Sequence, residues 1–288
     1  MNYRHHFHAG NFADVVKHVL LVQLVRGMQR KEKGFLFLDT HAGRGRYDLT
    51  AAARGDSLER KPEHPDGIGR LWNRAGLPEP VAEYVSLVRE FDRVSGGKGE
   101  QPQFYPGSPR LVQAVLRGQD RVALCEKHPE EFAALKDEFR RDRRASVQQL
   151  DGYTALRAML PPPEKRALVL IDPPFEEQNE FAQIVDGLRE GLRRMPACTF
   201  AVWYPLTERA RVDAFFEELL PMNLPPTFAA EVMIAGEASV IKMKGCGLLV
   251  INPPWQIDRV ISPVLPELAE ILQQAPGAHG ELRWLVSE

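Results

Sequence analysis

The chain has 288 residues, 44% of them hydrophobic, enough for a full core in one large α/β domain or one domain with an insertion. A formal charge of −2 excludes a permanent nucleic-acid coat, which is usually far more basic, but allows an enzyme that touches nucleic acid briefly. No apolar run reaches the roughly 18–20 residues of a bilayer span; the opening Met1-Asn2-Tyr3-Arg4-His5-His6 lacks a secretory layout, and the scattered Cys125, Cys198 and Cys246 suit a reducing cytoplasm.

Phe12, Val15, Val16, Val19, Leu20 and Val25 recur at helical spacing and predict a helix over 11–30 with Asn11 as its N-cap. Residues 35–39 form a short apolar run closing on an acid and a glycine-containing turn, as the first buried strand of a doubly wound sheet does. Across 50–103 proline, glycine and charge alternate with helix-like stretches at 68–74 and 81–91, which reads as a small helical insertion into a domain made of 1–49 and 104–288. Ser108-Pro109 places an N-cap and a first-position proline at the start of a helix reaching about 117. Strand-like runs at 121–126, 146–150, 167–171, 197–204 and 246–251 alternate with helical segments at 129–140, 153–160, 178–194 and 207–219. That rhythm predicts an α/β fold, a mostly parallel sheet with helices on both faces. A further strand is expected over 229–234.

The strongest chemical signal is Asp172-Pro173-Pro174-Phe175, directly after the apolar run 167–171. An acid or amide, two prolines and an aromatic ring mark methyltransferases that act on exocyclic amines. Such an amine is a poor nucleophile, because its lone pair is delocalised into the ring. The Asp172 carboxylate and the Pro173 carbonyl can accept its two N–H bonds, the prolines stiffen the turn, and Phe175 can stack on the base. The plain alternative is a proline turn with a surface phenylalanine. Asn252-Pro253-Pro254-Trp255 also fits the loose pattern. Cofactor segments should precede the catalytic loop by one α/β unit, as they do for Asp172, so the second copy is expected to be a structural turn after the last strand.

Asp39-Thr40-His41-Ala42-Gly43-Arg44-Gly45 supplies glycines that let a ligand approach the backbone closely. Asp48 stands where a dinucleotide fingerprint needs its third glycine, which counts against a nicotinamide enzyme. Glu126 closes the next strand, where an acid can bind both ribose hydroxyls, and Asp151-Gly152 closes the third, where an acid can accept from an adenine amine. Each carboxylate alone would be an ordinary loop acid; three at successive strand ends make a constellation. Ser108 opens a helix whose amides suit a carboxylate, although a plain N-cap would look the same. The histidines His5, His6, His8 and His18 are not expected to hold a metal, since methyl transfer from a sulfonium needs none and no cysteine lies nearby. The basic run 140–144 reads as a solvated helix end.

Tyr3-Arg4-His5, Phe7-His8-Ala9-Gly10-Asn11, Ala13-Asp14-Val15 and Lys17-His18 resemble the opening of the RlmJ family, bacterial 23S ribosomal RNA adenine-N6 methyltransferases. Leu38-Asp39-Thr40-His41-Ala42-Gly43, Tyr105-Pro106-Gly107-Ser108-Pro109, Asp151-Gly152, Ile171-Asp172-Pro173-Pro174, Trp203-Tyr204-Pro205 and Ile251-Asn252-Pro253-Pro254-Trp255 extend the likeness over nearly the whole chain. The resemblance implies a Rossmann-like class I S-adenosylmethionine-dependent methyltransferase. It implies that His18, His41, Ser108, Glu126, Asp151, Gly152 and Asp172 line the cofactor site, with Asp172, Pro173 and Phe175 catalytic. Tyr3, His5 and Lys17 would answer to the substrate base. The implied partner is protein-free 23S ribosomal RNA, in the cytoplasm, with a monomeric enzyme and no membrane. Phe175 stands where the family often has tyrosine, which keeps stacking but removes a phenolic hydroxyl. The rival readings are a DNA adenine-N6 methyltransferase and a catalytically inactive RNA-binding module on the same fold.

Overall fold

In the computed structural model, which describes residues 7–53 and 61–287, a long helix α1 (Phe12–Gln29) precedes the first strand β1 (Leu36–Asp39). Asn11 caps α1, its side chain accepting from the Asp14 amide at 2.9 Å. A two-stranded ribbon, β2 (Arg46–Asp48) with β3 (Phe104–Pro106), brackets α2 (Leu49–Ala53), α3 (Ile68–Trp72) and α4 (Glu79–Val94). Then follow α5 (Ser108–Val115), β4 (Arg121–Cys125), α6 (Pro129–Phe139), β5 (Ala145–Gln148), α7 (Gly152–Met159), β6 (Ala167–Ile171), α8 (Glu180–Arg194) and β7 (Thr199–Leu206). The chain closes with α9 (Arg209–Leu219), β8 (Thr227–Met233), β9 (Gly245–Ile251), α10 (Asp258–Ile261), α11 (Val264–Leu272) and β10 (His279–Val286).

One sheet of eight strands, in the order β10-β8-β9-β7-β6-β1-β4-β5, organises the described residues. The five strands from β5 to β7 are parallel, whereas β9, β8 and β10 join antiparallel. The burial of each strand follows its place. Every residue of central β1 and β6 is buried, whereas edge strands β5 and β10 alternate between more and less exposed positions. Helix α1 is buried almost all round, because α4 and α5 cover the side turned away from β6 and β9.

The expectation that β9 is the last strand is corrected by β10, which pairs with β8 from Met233 opposite His279 onward. The signal for β10 in 279–286 is weak because an edge strand with one wetted face carries charge at alternate positions. Topology also separates the two proline motifs. Asp172 follows β6 at the carboxyl edge of the parallel strands, whereas β9 runs the other way, with Ile251 opposite Phe200 near the start of β7. Asn252 therefore lies at the opposite edge, where its carbonyl accepts from the Thr199 hydroxyl at 2.8 Å and Pro254 packs on Gly27 of α1.

Candidate active site

A cleft of about 1600 Å³ opens over the carboxyl edge of the parallel strands. The ends of β1, β4, β5 and β6 bring Asp39, Glu126, Asp151 and Asp172 to this edge, although they are far apart in sequence. This is the crevice where doubly wound sheets bind ligands.

Asp39 is fully buried, and desolvation pushes its carboxyl up to about 7 against the pull of the Ser108 hydroxyl, which donates to Oδ2 at 2.6 Å. Ser108 was expected as an N-cap. The cap of α5 is Gly107 instead, Ser108 is the first helical residue, and its hydroxyl is spent on Asp39. Thr40 gives its hydroxyl proton to the Leu170 carbonyl at 2.8 Å, so its 2.8 Å contact with His41 Nδ1 needs the proton on that nitrogen. Burial lowers the His41 imidazole to about 4, so the ring is neutral, with Nε2 as its acceptor.

Both oxygens of Glu126 are oriented by backbone. The Gly43 amide donates to Oε2 at 2.9 Å and the His128 amide to Oε1 at 2.7 Å. Gly43 needs its positive φ of 59° for that turn, and a Cβ there would stand 2.4 Å from the Tyr47 hydroxyl. Burial raises the Glu126 carboxyl, and the two amides partly offset this. Asp151 caps α7, its Oδ2 accepting from the Thr154 amide and hydroxyl at 2.9 and 3.0 Å. Beside it, a Cβ on Gly152 would meet the Thr40 carbonyl oxygen at 2.5 Å and His41 Cε1 at 2.8 Å. The chain segments that follow β1 and β5 are thus packed as closely as a glycine permits.

On the other wall, Lys17 of α1 reaches Asp172 Oδ2 at 2.6 Å and Asp14 Oδ1 at 2.9 Å. Burial alone would pull this ammonium down, but the two carboxylates outweigh it and hold it well above its ordinary value. Phe175 takes a left-handed backbone, φ 50°, which costs a residue with a Cβ roughly 1–2 kcal/mol. Edge contacts with Phe181 and Trp203, at 5.1 and 5.7 Å between centroids, hold its ring in the cleft. His18 Nδ1 shares a 2.7 Å hydrogen bond with the Tyr105 hydroxyl, which meets that of Tyr84 at 2.8 Å, tying α1 to β3 and α4.

The fold thus gathers His18, His41, Ser108, Glu126, Asp151, Gly152, Asp172, Pro173, Phe175 and Lys17 around one cleft. Tyr3 and His5 lie outside the described residues. Lys17 sits against Asp172 itself, deeper than a rim contact with RNA requires. Sequence reasoning counted Asp39 among the strand-end acids but assigned no role to Asp14 or Trp203. The signals were present: an acid three residues before Lys17 on a buried helix, and an aromatic in β7, the strand beside β6.

A parallel sheet in the order β5-β4-β1-β6-β7, extended by antiparallel β9 and then by β8, which runs with the first five, with a cleft over its carboxyl edge, defines the class I, S-adenosylmethionine-dependent methyltransferases. The family model described as Ribosomal RNA large subunit methyltransferase D, RlmJ, matches residues 32–286. The chain belongs to this RlmJ family of large-subunit ribosomal RNA methyltransferases. It is 38% identical to Ribosomal RNA large subunit methyltransferase J of Escherichia coli (strain K12), over the whole of both chains. It is 36% identical, again over both whole chains, to the Haemophilus influenzae protein of the same name. A crystal structure of a Legionella pneumophila protein superposes with a TM-score of 0.83 at 33% identity, covering 98% of this chain and 99% of that one.

Proposed function

We propose that the protein forms N6-methyladenosine in protein-free 23S ribosomal RNA, as a cytoplasmic monomer, with residues 50–103 as an inserted helical subdomain. The observation that carries this reading is the position of Asp172-Pro173-Pro174-Phe175: at the carboxyl edge of β6, in one cleft with Glu126 and Asp151. The residues present fit S-adenosylmethionine. Glu126, oriented by two amides, has lone pairs left for ribose hydroxyls, and Asp151 can accept from an adenine amine through Oδ1, the oxygen Thr154 does not hold. Ser108, His41 and His18 would border the methionine end. When bound, this cofactor supplies an electrophilic methyl group.

The chain's own residues then prepare the amine. The target adenosine leaves its stack, at a cost of a few kcal/mol, and enters the cleft. Phe175 stacks on its face. Asp172 Oδ1, the oxygen Lys17 does not hold, and the Pro173 carbonyl accept the two N–H bonds and concentrate electron density on nitrogen. Lys17 and the aromatic wall exclude water and fix the Asp172 carboxylate, so little reorganisation is needed as nitrogen attacks in line. The amine proton leaves afterwards.

The test is tritiated-methyl transfer to unmodified, protein-free 23S RNA, followed by mass spectrometry of the nucleosides. N6-methyladenosine at a single site is the expected product. Methylation of duplex DNA in preference to RNA would favour the DNA reading, and failure to bind S-adenosylmethionine would leave an inactive RNA-binding module.

A further inference from the structure

Between β8 and β9 the chain makes a loop over 234–244 whose base is held firmly. The Ile234 amide donates to the Lys244 carbonyl at 2.8 Å, the Gly236 amide to Pro276 at 2.9 Å and the Gln274 amide to Ile234 at 2.8 Å. Gly236 and Gly277 approach so closely that a Cβ on either would crowd the turn facing it. The tip is therefore presented by a fixed base, and at that tip Val240 is completely exposed, at 101%. Beyond it the side chains alternate. Ile241 and Met243 turn partly inward, Lys242 outward, and all three border the cleft that contains Asp172. Exposed Lys61 and Arg211 also border this cleft. Glu176, Glu177 and Glu208 also border the cleft and repel phosphate, whereas the loop, with Lys242 and Lys244 against exposed Glu237, is net positive and can follow a nucleic-acid backbone.

A lone exposed valine is unremarkable on a protein surface. On a pinned loop whose next three residues border a cleft read as receiving a base, it has a specific use. An enzyme that extracts a base leaves a gap in the stack, and apolar side chains inserted between base steps hold such gaps open.

We propose that the β8–β9 loop enters the RNA beside the target adenosine, with Val240 filling the space the flipped base vacates and Lys242 contacting an adjacent phosphate. The proposal rests on the reading of the cleft as a base-methylating site. Val240 is a positioning residue: it acts on the stack and leaves the reacting atoms to Asp172 and Pro173.

The experiment uses full-length protein and two RNAs: a folded 23S fragment spanning the adenosine that the wild type methylates, and a short unstructured oligonucleotide of the same local sequence. Single-turnover methylation by Val240→Gly should fall about tenfold on the folded fragment, a modest share of the cost of unstacking, and change less than about twofold on the unstructured one. Val240→Leu should retain the wild-type rate on both, and S-adenosylmethionine affinity should not change. With 2-aminopurine at the target position, wild type should raise fluorescence on binding and Val240→Gly should not. Lys242→Gln should reduce the slope of log affinity against log salt by about one. Wild-type rates for Val240→Gly on the folded fragment, or equal losses on both RNAs, would overturn the wedge; an unchanged salt slope would overturn the phosphate contact. A wild type that methylates no 23S fragment would instead refute the activity on which the proposal rests.

Discussion

Asp39, buried beneath the cleft, and His41, which lines it, are neighbours, and burial drives their titrations in opposite directions. Desolvation raises the Asp39 carboxyl from 3.8 to about 7. Between those values the native state holds a proton that the unfolded chain has released, so this group makes stability fall as pH rises, and the fall ends near pH 7. His41 is lowered from 6.5 to about 4, so between those values the unfolded chain holds the extra proton and stability rises with pH. In the wild type the two slopes, each about 1.4 kcal/mol per pH unit, largely cancel up to pH 6.5. Asp39→Asn keeps an oxygen to accept from Ser108 and removes one of the slopes. Urea unfolding from about pH 5 to about pH 8 should then show the wild type losing about 2–3 kcal/mol relative to Asp39→Asn, mostly before pH 7. Taking the difference removes the His41 contribution along with everything else the two proteins share. Parallel stability curves for the two proteins would refute the assignment of a buried carboxyl that binds its proton near neutrality.

The two proline motifs predict opposite outcomes. Asp172→Ala should lower methylation about a thousandfold, the scale of losing a positioned transition-state acceptor, while Asn252→Ala keeps near-normal turnover and loses about 1 kcal/mol of stability because its φ is 51°; steady-state kinetics and urea midpoints check both. Gly152→Ala, although alanine is the better helix former, should cost about 1–3 kcal/mol, because its Cβ meets the Thr40 carbonyl oxygen at 2.5 Å. A raised urea midpoint would contradict that packing. Phe175→Ala should raise the KM for RNA about tenfold or more with S-adenosylmethionine binding unchanged in calorimetry, since stacking on one base is worth about 1–3 kcal/mol; loss of cofactor binding instead would put the ring elsewhere.

The alternation of strand-like and helical runs from 121 to 219, closed by acids and turns at 126, 151 and 172, was legible in the sequence. Those features come from local periodicity, from burial on both faces of parallel strands and from residue types that end strands. Helix α1 was equally legible, because its N-cap and apolar spacing lie within one short window. What the sequence left open depended on direction and partnership. The choice between Asp172 and Asn252 was argued from order along the chain, but its physical reason is that β9 runs antiparallel and carries Asn252 to the far edge of the sheet. Strand β10 escaped notice because an edge strand half in water has no apolar run to announce it. Lys17 and Asp172 lie 155 residues apart, so no periodicity could pair them. Only the packing of α1 beside β6 brings that ammonium to that carboxylate, and only the placement of the first turn of α5 at the end of β1 turns Ser108 from an expected cap into a donor to Asp39.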